Sequence, residues 1–483
     1  MARKRIGELL LEAGLITKEQ LEIALKEQKK TGELLGSILY SLGFISLKDL
    51  YQALSVSYVD EGEKKDFDIT SDIPEDIEHL VKQSRESLLG GKSVKTDVQA
   101  TLPPLIRLVE RIISNGIVKG ATDVHIGPDM KGVRVRYRID GQLQHGMHLP
   151  MDLLGPIISR IKIMGGMNIA ETRIPQDGGT EFTYRDRKLD IRISTYPVLG
   201  GENAVLRILD KSQVKIGLES LGFFPEDAQR LAKIAKAPYG MIIVTGPTGS
   251  GKTTTLYSCL SIVNSVSKNI FTIEDPIEYQ MPLVRQSQVN VKAGLTFATG
   301  LRSILRQDPD IILVGEIRDV ETAELALRAA LTGHLVFTTL HTNDAISSTL
   351  RLVDMGIEPF IISSTLNAII SQRLVRVLCD YCKEAIPKDN PIYDKLNTNK
   401  VLYTSKGCTH CNETGYKGRT VIYEILEIDE EIKRFINRKA SLNEIRDYAF
   451  SKGFREMFSI GMEKVKLGIT TYEEVTSVAK AGL

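Results

Sequence analysis

The run Gly246-Pro247-Thr248-Gly249-Ser250-Gly251-Lys252-Thr253, continued by Thr254, constrains this chain more than any other stretch. An apolar segment, Met241 to Thr245, precedes it and reads as a buried strand. The segment from Thr253 to Val263 follows it and reads as a helix. This is the GxxxxGK[ST] phosphate loop in the strand–loop–helix setting that the motif requires. The residue types are those that phosphate binding needs. Gly246, Gly249 and Gly251 let backbone N–H groups turn inward around phosphate oxygens, and the helix start adds the positive end of its dipole. Lys252 supplies a point charge for the β- and γ-phosphates of ATP, and Thr253 a hydroxyl for the accompanying Mg²⁺. A chance glycine-rich turn would not carry a strand pattern on one side and a helix pattern on the other.

The length, 483 residues, leaves room for three or four domains of about 150 each. Lys+Arg 62 against Asp+Glu 61 gives a net charge of +1, which excludes a chain-wide nucleic-acid footprint and leaves only a local patch. The basic start, Met1 to Arg5, runs into a charged amphipathic helix and not an apolar core, so it is not a secretory signal. No stretch approaches the roughly 20 apolar residues of a membrane span. The expectation is a cytoplasmic protein, peripheral to a membrane only through partners. Four of the five cysteines fall in two CxxC pairs, which points to metal binding in a reducing compartment better than to disulfides.

Residues 7–25 and 36–54 are two versions of one pattern. Gly7, Gly14, Ile16, Leu21, Ala24 and Leu25 recur as Gly36, Gly43, Ile45, Leu50, Ala53 and Leu54. Each copy reads as helix, glycine stop, cap and helix, with Thr17 or Ser46 at the N-cap. We expect a small all-helical module over 1–58. A polar linker with one short helix over 59–99 follows. Residues 100–215 read as an α+β domain: a helix over Leu102–Val118, another near Leu153–Met164, and strands at Asp123–Ile126, Val133–Ile139, Lys188–Ile193 and Ala204–Ile208. The arginines on these strands, Arg134, Arg136, Arg138, Arg192 and Arg207, suit the solvated side of a half-buried sheet.

From 216 to 483 strands alternate with helices, which implies a parallel α/β sheet. Strands at Asn269–Ile273, Asp310–Glu316 and from Leu335 end near Glu274, Glu316 and His341. Ligands of such sheets sit beyond the carboxyl ends of the strands. The three side chains are therefore expected on the edge that holds the phosphate loop. Arg302 and Arg306 lie one turn apart on a helix over Phe297–Gln307. Cys379, Cys382, Cys408 and Cys411 suit a closed tetrahedral Zn²⁺ site of structural type within 376–415. His410 can compete as a ligand but is not needed, and Cys259 reads as core. The tail from Glu424 reads as helices.

The boxes Glu274-Asp-Pro-Ile-Glu278, Gly300 to Asp310, Val314 to Asp319 and Thr332 to Asn343 resemble those of the type II secretion and type IV pilus assembly ATPases. The resemblance runs from about residue 100 to the C-terminus. It implies a homohexameric ring whose subunits pair the α+β domain with a RecA-like motor domain, driving an inner-membrane platform protein beside cytoplasmic-facing assembly proteins. It also makes Glu316 the Walker-B-box glutamate, Glu274 the Asp-box glutamate, and His334 and His341 the His-box histidines. Arg192, Arg207, Arg302 and Arg306 match arginines that the family places around the nucleotide. Generic phosphate-loop enzymes carry Asp where Gly315 stands here. Glu274 and Glu316 are then expected to share water activation and Mg²⁺ support, in an order left open. The front repeat resembles the tandem cyclic di-GMP-binding motif of some relatives. It departs from that motif at Ile6, usually Leu, and at Ser57, usually Gln. A purely structural docking repeat remains the other reading. Two alternatives to the motor stand beside it. A RecA-like translocase on nucleic acid is disfavoured by the charge balance and by the lack of a basic, aromatic-interleaved run. A non-catalytic cyclic di-GMP sensor is disfavoured by the intact Lys252, Thr253 and Glu316.

Overall fold

A computed structural model describes residues 10–11, 14–31, 35, 38–39, 42–45, 74–89, 102–210 and 217–480. The chain divides into two units, Met1–Asp210 and Lys211–Leu483. Among the described residues no helix is long and apolar enough to cross a membrane.

The first unit opens with the helical repeat. Helix α1 spans Lys18–Thr31. Thr17 caps it in both directions: its Oγ1 accepts from Gln20 N at 3.2 Å, and Gln20 Oε1 accepts from Thr17 N at 2.8 Å. Gly14 and Gly43, the paired helix stops, adopt φ +66° and +70°, a left-handed conformation that suits glycine at a helix end. Leu10, Ile16, Ala24, Leu35, Ile38, Leu39 and Ile45 form a buried cluster. Ile6, Gly7, Gly36, Ser46, Leu50, Ala53, Leu54 and Ser57 lie outside the described residues.

Helix α2, Glu75–Leu89, falls within the stretch expected as linker. It is more than a spacer. Ile77 and Val81 are buried in the same core as Leu105, Leu108 and Ile112 of helix α3, Pro103–Val118. Its apolar residues share one face, and the charges on the other face conceal that stripe in a composition reading. An antiparallel sheet follows: β1 Ala121–Asp129, β2 Gly132–Ile139, β3 Gln142–Leu149, β4 Gln176–Tyr184, β5 Arg187–Val198 and β6 Gly201–Asp210, in the order β3-β2-β1-β6-β5-β4. Helix α4, Leu154–Met164, joins α3 in the core. Its Lys162 is buried; Nζ donates to Glu202 Oε2 at 2.8 Å and to Glu171 O at 2.6 Å, so the charge is both paired and hydrogen-bonded. The sequence pattern did not reveal β3 and β4. The first interrupts its alternation with Gly146, and the second carries Gly178 and Gly179 and is held by pairing along its whole length with β5.

In the second unit, helix α5 Pro225–Ala235 leads to β7 Gly240–Thr245, helix α6 Lys252–Val263, β8 Ile270–Glu274, β9 Val284–Gln288, helix α7 Phe297–Ile304, β10 Ile311–Val314, helix α8 Val320–Leu331, β11 Leu335–Leu340, helices α9 Ala345–Asp354 and α10 Pro359–Thr365, and β12 Leu366–Leu378. Two short strands, β13 Glu384–Ala385 and β14 Tyr403–Thr404, pair within the cysteine-bearing insert. β15, Tyr416–Glu427, returns to the sheet. The order is β15-β12-β7-β11-β10-β8-β9, parallel from β12 to β9, with β15 antiparallel at one edge. β7, β10 and β11 are buried at every position, as a sheet covered on both faces demands. The tail is therefore not wholly helical. β15 runs through Glu424, and only then do helices α11 Glu430–Asn437, α12 Leu442–Ser451, α13 Met457–Lys466 and α14 Tyr472–Val478 follow.

Candidate nucleotide site and metal centre

The phosphate loop leaves the buried end of β7 and enters α6. Gly246, Gly249 and Gly251 take φ values of +139°, +78° and +85°. A Cβ on Gly246 would lie 2.4 Å from the backbone oxygen of Gln372, so this position needs glycine for space as well as for conformation. Lys252 Nζ donates to Gly246 O at 2.8 Å and to Pro247 O at 3.1 Å, folding its ammonium back over the loop. Burial holds that ammonium below its usual pKa, and the neighbouring Glu316 carboxylate opposes the shift. Thr253 and Thr254 are half-buried in the first turn of α6.

Parallel register carries the other groups to the same edge. Val314 of β10 pairs with Ile273 of β8 and with Thr338 of β11, so Glu316 leaves the sheet beside His341. His341 Nε2 is 3.0 Å from Glu316 Oε2, and Arg318 Nη2 is 2.5 Å from Glu316 Oε1. Burial alone would raise the Glu316 pKa; the bonds and charges of Arg318 and His341 outweigh it and hold the carboxyl below its usual value. The His341 loop is tied to the phosphate loop by a hydroxyl pair. Thr245 Oγ1 lies 2.6 Å from Thr342 Oγ1 and accepts from Thr342 N at 2.9 Å.

Glu274 ends the adjacent strand but turns inward. Its side chain is 2% exposed. It accepts hydrogen bonds from Tyr257 Oη of α6, from Thr272 Oγ1 at 2.5 Å and from Gln286 Nε2 at 3.3 Å. Burial raises its pKa against those donors. The glycine before Glu316 now has a reason. A Cβ on Gly315 would sit 3.3 Å from both Glu274 Cα and Ile273 O, so the packing of β8 on β10 leaves little room for an aspartate.

Within the second unit, His334, Arg302 and Arg306 make other contacts. His334 stands at the opposite end of β11 from His341, its carbonyl accepting from Gly240 N at 3.1 Å and its Nδ1 within 2.9 Å of Ala329 O. The length of the strand separates the two histidines by roughly 20 Å, so within one subunit they do not share a site. Arg302 pairs with Glu321 of α8, and Arg306 donates to Arg302 O at 3.0 Å. In the first unit Arg192 and Arg207 are cross-strand neighbours on β5 and β6, and Arg207 Nε lies 2.9 Å from Asp123 Oδ1. Thr245, Tyr257, Arg318 and Gln372 escaped the sequence reading. The box pattern around Arg318 offered a signal; the Thr245 and Gln372 contacts join segments about a hundred residues apart, and the Tyr257 contact joins α6 to the strand that follows it.

The four cysteines converge. All ligand atoms of Cys379, Cys382, Cys408 and Cys411 lie within 4.8 Å of one another. The Sγ···Sγ distances are 3.9 Å for Cys379–Cys408, 3.8 Å for Cys382–Cys411 and 3.7 Å for Cys408–Cys411. A tetrahedron with Zn–S bonds of about 2.3 Å has edges close to these values. Cys411 Sγ accepts from Cys408 N at 3.2 Å and Gly415 N at 3.1 Å, bonds that steady a thiolate ligand. The tetrad therefore fits Zn²⁺. His410 stacks on Tyr381, ring centroids 4.1 Å apart, and Cys259 is buried in α6 away from the tetrad.

Comparison with known proteins bears on this geometry. The family model described as type II/IV secretion system protein matches residues 98–477. The chain is 45% identical to type II secretion system protein E of Pseudomonas aeruginosa, over 78% of this chain and 76% of that one. It is 39% identical to the type IV pilus assembly ATPase PilB of Myxococcus xanthus, over 98% of each. Among solved structures, the pilus retraction motor PilT with bound ADP superposes with a TM-score of 0.53 at 28% identity, covering 77% of this chain and 97% of that one.

Proposed function

Because the chain belongs to the type II/IV secretion system protein family and is an ATPase, we propose that it powers assembly of a type IV pilus. It would act as a homohexamer that drives an inner-membrane platform protein and is held at the membrane through such partners. One observation favours the pilus over secretion. The similarity to the Myxococcus pilus assembly ATPase runs the length of both chains, front module included, whereas that to the Pseudomonas secretion protein stops short.

In this proposal Gly246 to Thr254 cradle the phosphates of ATP, and Lys252 leaves its two loop carbonyls to meet the β- and γ-phosphates. Thr253 would hold Mg²⁺, which when bound neutralises charge on those phosphates. Glu316 orients or deprotonates the attacking water, and His341, hydrogen-bonded to it, senses the γ-phosphate end. Glu274 anchors α6 to the sheet through Tyr257 and takes no proton from water. Arg192, Arg207, Arg302 and Arg306 are the candidates for further positive charge at the phosphates, Arg302 after exchanging Glu321 for them. His334 acts outside its own subunit's site. The zinc tetrad shapes the insert between β12 and β15.

Replacing the native chain in its own cell with the Lys252→Ala variant tests the proposal. Loss of surface pili at unchanged protein level supports it. Loss of exoprotein secretion with pili retained would assign the chain to a secretion system. Titrating labelled cyclic di-GMP against the full chain decides the front repeat: micromolar or tighter binding makes it a sensor despite Ser57, and no binding makes it a docking module.

A further inference from the structure

Strand β12 is apolar from Ala368 to Ile370 and then places three polar residues in a row, Ser371, Gln372 and Arg373. Gln372 is 1% exposed. Its Nε2 donates to Ser250 O at 2.8 Å and lies 3.3 Å from where a Cβ on Gly251 would be; its own carbonyl fills the space beside Gly246. The two neighbours reach the other wall of the site. Ser371 Oγ donates to Asn343 O at 3.2 Å, and Arg373 Nη2 donates to Asn343 Oδ1 at 3.3 Å, two residues beyond His341. One strand thus grips both the phosphate loop and the loop that carries His341.

The chemistry at 372 is not what packing alone would select. Gln372 Oε1 has no hydrogen-bond partner among the described residues, and a buried polar atom left unpaired is destabilising. A methionine would fill similar volume without that cost. What the amide adds is one N–H aimed at the Ser250 carbonyl. The peptide between Ser250 and Gly251 is planar and trans, so fixing its C=O toward β12 turns its N–H the opposite way. That N–H belongs to Gly251, one of the donors a phosphate loop turns inward.

We propose that Gln372 is a positioning residue for nucleotide binding: it sets the orientation of the Ser250–Gly251 peptide, while Ser371 and Arg373 hold the His341 loop in register with it. The inference rests on the phosphate loop being the ATP site. A Lys252→Ala control separates the two ideas, because retained ATP binding in that control would remove the site itself.

The test uses the full chain, a fluorescent ATP analogue for affinity and steady-state turnover. Gln372→Met is expected to weaken binding and raise KM by about tenfold, the loss of roughly one hydrogen bond, with kcat within about twofold and no fall in melting temperature. Gln372→Glu supplies a readout that packing would not move. A buried carboxyl donates to Ser250 O only while protonated. Its KM, relative to the parent chain at each pH, should therefore fall toward the parent value between about pH 8 and pH 6. Parent-like affinity in Gln372→Met would overturn the proposal. So would a pH-independent KM ratio in Gln372→Glu, which also decides the matter if the methionine variant does not fold.

Discussion

Substituting Glu316 by Gln tests the division of labour between the two glutamates. The Glu316 side chain is 15% exposed and is held by His341 at 3.0 Å and Arg318 at 2.5 Å. Those partners keep it ionised below the usual carboxylate range, so near neutral pH it is a charged acceptor for a water hydrogen. The amide keeps the shape and one oxygen but removes the charge. A positioned general base contributes about 10²–10⁴ in rate, which is roughly 3–5 kcal/mol of barrier. We therefore expect kcat to fall at least about 100-fold. ATP affinity should change little, since Gly246 to Thr254 are untouched and Lys252 loses only a neighbouring negative charge. Phosphate release under saturating Mg-ATP, with analogue binding in parallel, measures both. The companion Glu274→Gln replaces a buried carboxyl that meets Tyr257, Thr272 and Gln286, and it should keep more than about a tenth of parent turnover, an effect of packing and not of chemistry. Turnover of Glu316→Gln within tenfold of the parent would refute the reasoning. So would a Glu274→Gln variant equally inactive at an unchanged melting temperature.

Glu424 of β15 accepts from Ala345 N at 2.8 Å at the start of α9, and burial raises its pKa to about 7. The folded state then keeps a proton that the unfolded state releases, so stability falls as pH rises from about 4.5 to about 7 and is level above, by roughly 3 kcal/mol. Urea midpoints across that range should show the slope, and Glu424→Gln should flatten it. Metal analysis of the purified chain should find about one zinc per subunit; Cys408→Ser should lose it and open new proteolytic sites within 380–415. Gly246→Ala should abolish nucleotide binding, since its Cβ would meet the Gln372 oxygen at 2.4 Å, whereas Gly249→Ala meets nothing within 4 Å and carries only the strain of a positive φ, about 1–2 kcal/mol.

The readable parts of this chain were those whose physics is local. β7, the phosphate loop and α6 announced themselves because a buried strand, a glycine-rich turn and a helix start each leave a pattern over a few residues. Glu316 and His341 were placeable because the ends of parallel strands share one edge. The same rule misled for Glu274, whose strand ends at that edge while its side chain is drawn inward by Tyr257 and Gln286. His334 stands seven positions before His341 on an extended segment, which puts it on the far side of the sheet. A short helix was expected where α2 lies, but its charges concealed the apolar stripe, Ile77 and Val81, that packs into the core. The grip of Gln372 on Ser250 and the Thr245–Thr342 hydroxyl pair join positions about a hundred residues apart, and no spacing rule spans such a distance.

In the proposed mechanism Glu316 and His341 face the reacting phosphate while Glu274 stays buried. A structure of the full chain with Mg²⁺ and a non-hydrolysable ATP analogue tests it most directly. The expected structure has the γ-phosphate within hydrogen-bond reach of His341, a water held by Glu316, and Glu274 still bonded to Tyr257. A Glu274 side chain swung out to hold that water, with Glu316 turned away, would contradict it.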